Sequence, residues 1–210
     1  MLKRAALLVG TWVVFLAVSV MPAQAQIDDV PRIAIVSAFA PELTRLLEQT
    51  EVEATYELNG HIFTTGKLAG NDVVLFLSGV SMVNAPLTTT MALENFNITY
   101  IVFSGIAGGV SPERHIGDVT IPEQWGNYGE TLYARETADG WDFGWHETPF
   151  GHFGMITPQN STVFSEAAPM PEGETRFWFP VDEEMYTVAQ EVTADVELQD
   201  CTADGVCLEN

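Results

Sequence analysis

An apolar run, Tyr100 to Phe103, passes through Ser104 into three glycines within five residues, Gly105, Gly108 and Gly109. A strand that is apolar at every position is covered on both faces, which in practice means helices on either side of a sheet. Glycine is costly to order there, so it is used where φ must be positive or where something comes close to the backbone. A second run, "RIAIVSA" (Arg32–Ala38), has the same texture. It leads straight into "PELTRLLEQT", which reads as a helix. Pro41 suits a first turn, Glu42 suits the positive end of the helix dipole, and Leu43, Leu46 and Leu47 share one face.

Between these runs, "HIFTTGKL" and "DVVLFLS" are two strands joined by the turn "AGN". "GVSMVNAPLTTTMALENF" then reads as a helix with Pro86 in its first turn. "IGDVTIP" (Ile116–Pro122) is expected to be a further short strand. The order strand, helix, hairpin, helix, strand predicts an α/β domain of three layers, α/β/α, around a central mixed sheet. Ligands of such folds sit outside the carboxyl ends of strands. Both "SAFAPE" and "SGIAGG" lie at such ends.

The first 25 residues stand apart from this pattern. Lys3 and Arg4 precede an apolar stretch from Ala5 to Val20, and Ala23 and Ala25 close it as an Ala-x-Ala cleavage site. This is the pattern of a secretory signal peptide, too short for a full span and backed by a cleavage signature. Residues 26–210 are then one exported domain, periplasmic or secreted, with no membrane segment after removal of the leader. Loss of Lys3 and Arg4 takes the formal charge from −21 to −23. A surface this acidic disfavours nucleic acid and anionic lipid as partners. In an exported chain Cys201 and Cys207, the only cysteines, are expected to close a small disulfide loop. No metal site is expected. His146 and His152 lack ligand spacing, and His61 and His115 read as structural.

From Glu123 to Phe153 the texture changes again. Trp125, Tyr128, Tyr133, Trp141, Phe143, Trp145, Phe150 and Phe153 crowd a glycine-rich stretch. An irregular segment pinned by its aromatics is expected, serving also as a lid or a subunit surface, and so leaving a homo-oligomer open. "PMPEGE" (Pro169–Glu174) reads as a turn, and "PVDEEMYTVAQEVTADV" as a helix opening on acids.

In order and spacing, "RIAIVSAFAPEL", "LSGVSMVNA", "FSGIAGGV" and "IGDVTIP" resemble the superfamily of purine nucleoside phosphorylases and methylthioadenosine/S-adenosylhomocysteine nucleosidases. "FPVDEEMYTVA" and the cysteine tail resemble its exported branch, which includes plant bark storage proteins. The resemblance implies cleavage of the N-glycosidic bond of a small purine nucleoside, with no cofactor. It implies that Glu42 is the carboxylate that prepares water. From composition alone Glu42 is a first-turn acid favouring the dipole, and the two readings stand side by side. The resemblance also places Ile106, Ala107 and Gly108 against the sugar, Gly108 through its backbone. Ile106 stands where the family often has serine, which removes a hydroxyl from that side. No arginine accompanies "SAFAPE", so hydrolysis is expected over phosphorolysis. Nothing after Trp125 matches the family's Met-Glu pair or its purine-directed Asp, so the domain is expected to be truncated at its C-terminus and, on its own, to be inactive as a nucleosidase. A non-catalytic nucleoside-binding or storage protein, or a nucleoside phosphorylase, is the alternative.

Overall fold

The computed structural model describes residues 26–163, 174–199, 201, 205 and 207. The expected leader, residues 1–25, lies outside them, as do residues 169–173 of the expected turn. The chain divides into two compact units that meet in sequence at Gly108 and Gly109.

The first unit runs β1 (Asp28–Ser37), α1 (Ala40–Gln49), β2 (Glu51–Leu58), β3 (His61–Leu68), β4 (Asn71–Leu77), α2 (Asn84–Asn95) and β5 (Phe96–Phe103). Its five strands form one sheet in the order β2-β3-β4-β1-β5. β1 is parallel to both β4 and β5, whereas β2, β3 and β4 form an antiparallel meander. This is the mixed sheet anticipated from the apolar runs. Side chains alternate across it as a period of two requires. Ala34 and Val36 face one side with Phe63, Val74 and Phe76, where Met91 and Ala92 of α2 cover them. Ile35 faces the other with Val73 and Leu75, where Leu43 of α1 covers them, and Leu46 and Leu47 pack alongside. Three layers result, with β1 in the middle of the core.

β2 had no counterpart in the strands read from sequence. "EVEATYEL" carries three glutamates and sits at the sheet edge with alternate residues exposed. It therefore lacks the apolar signature of the central strands. The tight turn Asn59-Gly60, with φ of 50° and 82°, joins it to β3. Paired positive φ values of this kind match the twist of a hairpin.

Arg32 is buried near the start of β1, with its side chain only 5% exposed. Its guanidinium reaches Asp28 at 2.6 Å, Glu53 of β2 at 3.0 Å and the Val73 carbonyl of β4 at 3.3 Å. One side chain thus ties β1 to β4 and to the far edge strand of the sheet.

The second unit contains β6 (Gln124–Gly126), β7 (Thr131–Tyr133), β8 (Arg135–Thr137), β9 (Gly140–Asp142), β10 (Ile156–Pro158), β11 (Ser161–Val163), β12 (Glu174–Arg176), β13 (Trp178–Pro180) and α3 (Glu183–Asp195). The strands pair two by two: β6 with β13, β7 with β10, β8 with β9 and β11 with β12. Asp182 caps α3 by accepting the Met185 N–H at 3.0 Å. The strand expected over Ile116–Pro122 is absent: the segment is a turn followed by irregular backbone, and Ile116, Val119 and Ile121 are all exposed. Its apolar alternation has no sheet face to bury, and that burial is what turns alternation into a strand. Phe150 does pin its segment, lying 4.0 Å from the Phe177 ring, whereas Trp145 and Phe153 stand in solvent. Cys201 and Cys207 are joined as a disulfide. Among the described residues no helix is long and apolar enough to cross a membrane, and no group of three or more His, Cys, Asp or Glu side chains could hold a metal.

Candidate active site

The candidate site lies in the first unit, at the carboxyl ends of β1 and β5. β1 ends at Ser37, and the backbone turns through Ala38 and Phe39 into α1. Phe39 is the N-cap, in extended conformation, but a phenyl ring cannot accept a hydrogen bond. The free N–H groups at this helix start need another acceptor. Glu42, the third helical residue, supplies it by folding back. Its Oε2 accepts the N–H of Ala38 at 2.7 Å and that of Phe39 at 3.4 Å. Its Oε1 accepts the N–H of Ile106 at 2.8 Å, from the loop after β5. A single carboxylate therefore bridges the ends of two neighbouring parallel strands.

This bridge explains the first glycine of the loop. A Cβ on Gly105 would stand 2.7 Å from Glu42 Oε1 and 2.9 Å from its Cδ. Glycine is required because a carboxylate occupies the space. Gly108 differs, since nothing in the protein lies within 4 Å of where its Cβ would be. Ala107 and Gly108 are exposed, and the Ile106 side chain is 80% exposed although its N–H is engaged. Of the four residues singled out from the sequence, the structure brings Glu42 and Ile106 together. Ala107 and Gly108 follow directly on the same loop. Gly105 and the Ala38 N–H were missed as members of the site. The clue to Gly105 was its place two residues beyond an apolar strand, facing an acid at a helix start.

The Ile106 N–H does most to hold the Glu42 carboxyl below the usual carboxylate range; partial burial opposes it, and the Ala38 and Phe39 N–H groups add to it. Glu42 is thus ionised at neutral pH. A carboxylate offers about four lone-pair sites. Three N–H groups occupy three of them, one on Oε1 and two on Oε2. One acceptor position remains on Oε1, enough to take a hydrogen bond from water. Arg45, one turn further along α1, is exposed and pairs with Glu48 at 3.2 Å.

Gly105→Ala should leave the fold intact, because the atom displaced is the flexible end of a side chain. It should cut the bond between Ile106 and Glu42. The melting temperature should shift by no more than a few degrees while the Glu42 carboxyl titrates closer to the ordinary range, read by carboxyl-carbon NMR. An unchanged Glu42 titration would show that the loop can yield instead.

The sequence profile of the phosphorylase superfamily matches residues 32–205. A 5'-methylthioadenosine/S-adenosylhomocysteine nucleosidase of Tolumonas auensis is 38% identical over 93 residues, covering 44% of this chain and 40% of that protein. A protein of the same name from Bacillus thuringiensis is 38% identical over 90 residues, covering 43% and 39%. The chain thus spans about two fifths of the length of these curated relatives. Among solved structures, a futalosine hydrolase mutant of Helicobacter pylori superposes with a TM-score of 0.51 at 21% identity, over 80% of this chain and 63% of that one. The Streptococcus pneumoniae MTA/SAH nucleosidase in complex with 8-aminoadenine does so with a TM-score of 0.51 at 21% identity, over 76% and 58%. These two likenesses establish the fold.

Proposed function

The chain belongs to the phosphorylase superfamily, and from that premise we propose that the full-length protein hydrolyses the N-glycosidic bond of purine nucleosides of the methylthioadenosine/S-adenosylhomocysteine type. The observation that carries this reading is the ionised Glu42 carboxylate at the ends of β1 and β5, with one acceptor position free on Oε1. The bond between the sugar's anomeric carbon and the base nitrogen breaks, and its electrons leave with the base. Water adds its oxygen to the anomeric carbon and passes a proton to Glu42. A second group protonates the departing base. The products are free base and free sugar. Ile106, Ala107 and Gly108 line the sugar side, Gly108 through backbone that no side chain of its own obstructs.

Water is favoured over phosphate as acceptor. A phosphate dianion beside Glu42 needs a cation, and Arg45 is committed to Glu48 on the exposed face of α1. Purine release in phosphate-free buffer, with free sugar as the second product, is the expected result. Strict dependence on phosphate, with a sugar phosphate formed, would overturn it. One observation favours a non-catalytic nucleoside-binding or storage role: three N–H groups already satisfy most of Glu42, as they would a purely helix-capping acid. Nucleoside binding without any release would decide for that role.

The protein is also taken to be exported to the periplasm or beyond, with residues 1–25 removed and Gln26 as the mature N-terminus. The Ala-x-Ala site and the disulfide between Cys201 and Cys207 support this. Intact mass of the exported protein should begin at Gln26. A mass that retains residues 1–25 would count against export by cleavage.

A further inference from the structure

Ser37 is the last residue of β1 and is fully buried. Its backbone carbonyl accepts the Ser78 N–H at 2.8 Å, at the end of β4. Its hydroxyl donates to the Ser104 carbonyl at 2.7 Å, at the end of β5. The Ser104 N–H in turn donates to the Val36 carbonyl at 2.8 Å. One small residue therefore ties together the carboxyl ends of the three parallel strands β4, β1 and β5.

A closed ring follows from these bonds. It passes from the Ser37 hydroxyl to the Ser104 carbonyl, through Gly105 to the Ile106 N–H, across the Glu42 carboxylate to the Ala38 N–H, and back along the chain to Ser37. Gly105 is the weak link. It must be glycine to admit the Glu42 carboxylate, and glycine leaves the backbone freer than any other residue would. The Ser37 hydroxyl fixes the peptide just before that glycine, and the Ile106 N–H that addresses Glu42 lies just after it.

We propose that Ser37 is a positioning residue for Glu42, acting through the Ser104–Ile106 backbone to hold the carboxylate in place. This inference rests on the proposed role of Glu42 in hydrolysis, but its physical core can be read without turnover. The groups that depress the Glu42 carboxyl are backbone N–H groups, Ile106 first, with no charged side chain among them. Loss of the Ser37 hydroxyl lets the Ile106 N–H drift, and the carboxyl returns toward its ordinary range. A buried carbonyl that loses its donor also destabilises the fold, so a stability change alone does not identify a positioning role.

The experiment is a carboxyl-carbon NMR titration of the full-length protein, with the Glu42 signal assigned by its loss in Glu42→Gln. In Ser37→Ala the Glu42 midpoint should rise, and kcat should fall by about 10- to 100-fold with KM little changed, as for a misplaced catalytic group. Ser37→Cys keeps the size and a weak donor. It should fall between the two, and it is the variant to titrate if Ser37→Ala does not fold. A Glu42 midpoint that stays at its wild-type value in a folded variant overturns the inference, whether or not the protein has nucleosidase activity. If the midpoint rises in a protein whose wild type releases no purine, the ring of contacts stands and the nucleosidase reading falls.

Discussion

Replacing Glu42 with glutamine should slow purine release by the full-length protein by about 10²- to 10⁴-fold, the usual loss when a general base is removed. Nucleoside binding, measured by calorimetry, should change far less, because the loop residues that would line the sugar remain. Glutamine is not a neutral replacement here. The carboxylate accepts on both oxygens, from Ala38 and Phe39 on one and Ile106 on the other. A carboxamide has one oxygen, so its NH₂ must face an N–H group on one side. Glu42→Gln therefore also loosens the bridge between the strand ends, and some loss of stability should accompany the loss of rate. A stability loss with full turnover would leave Glu42 as a helix-capping acid alone.

The second large effect lies further back along β1, at Arg32. Arg32→Ala should destabilise the protein by about 3 to 5 kcal/mol, the range for removing one partner of a buried ion pair. The guanidinium is 5% exposed and the Asp28 carboxylate 12% exposed, so neither is rescued by water. Removing the cation strands Asp28 and also deprives the Val73 carbonyl of a donor. The double variant Arg32→Met with Asp28→Leu should recover much of the loss, because apolar packing can replace the buried pair, and the remaining partner, Glu53, is 42% exposed and can turn to water. Urea unfolding of both variants is the check. A single variant within 1 kcal/mol of wild type, or a double variant worse than the single, would contradict the assignment.

The sequence revealed the centre of the first unit better than its edge. β1 announces itself by an apolar run because helices cover both of its faces. β5 carries a similar run but is an edge strand, and Ile101 and Phe103 are half-exposed, against the expectation of cover on both faces. α1 is marked by Pro41, Glu42 and its leucines. β2 is half-exposed and glutamate-rich, so its only clear signal is the Asn59-Gly60 turn. Ile116–Pro122 misleads for the converse reason: its residues alternate as a strand should, but Ile116, Val119 and Ile121 are all exposed. Glu42 could be found from the sequence by resemblance and by its place in the first helical turn. Gly105 and Ser37 could not be found in the same way. Their roles depend on two strand ends lying side by side, which is a property of the sheet order. The serine in "IAIVSA" has no local feature to distinguish it from any hydroxyl in an apolar run.

The pH dependence of kcat/KM, measured on the full-length wild type and Glu42→Gln in the same phosphate-free buffers, tests the central claim most directly. This ratio reports the ionisation of the free enzyme. A base must be unprotonated to act, and the Glu42 carboxyl is held below the usual range, first by the Ile106 N–H. The wild type should therefore hold its rate as pH falls through the ordinary carboxylate range and lose it only below, while the residual rate of Glu42→Gln lacks that acid limb. The same acid limb in both proteins, or a variant at full rate, would contradict the claim.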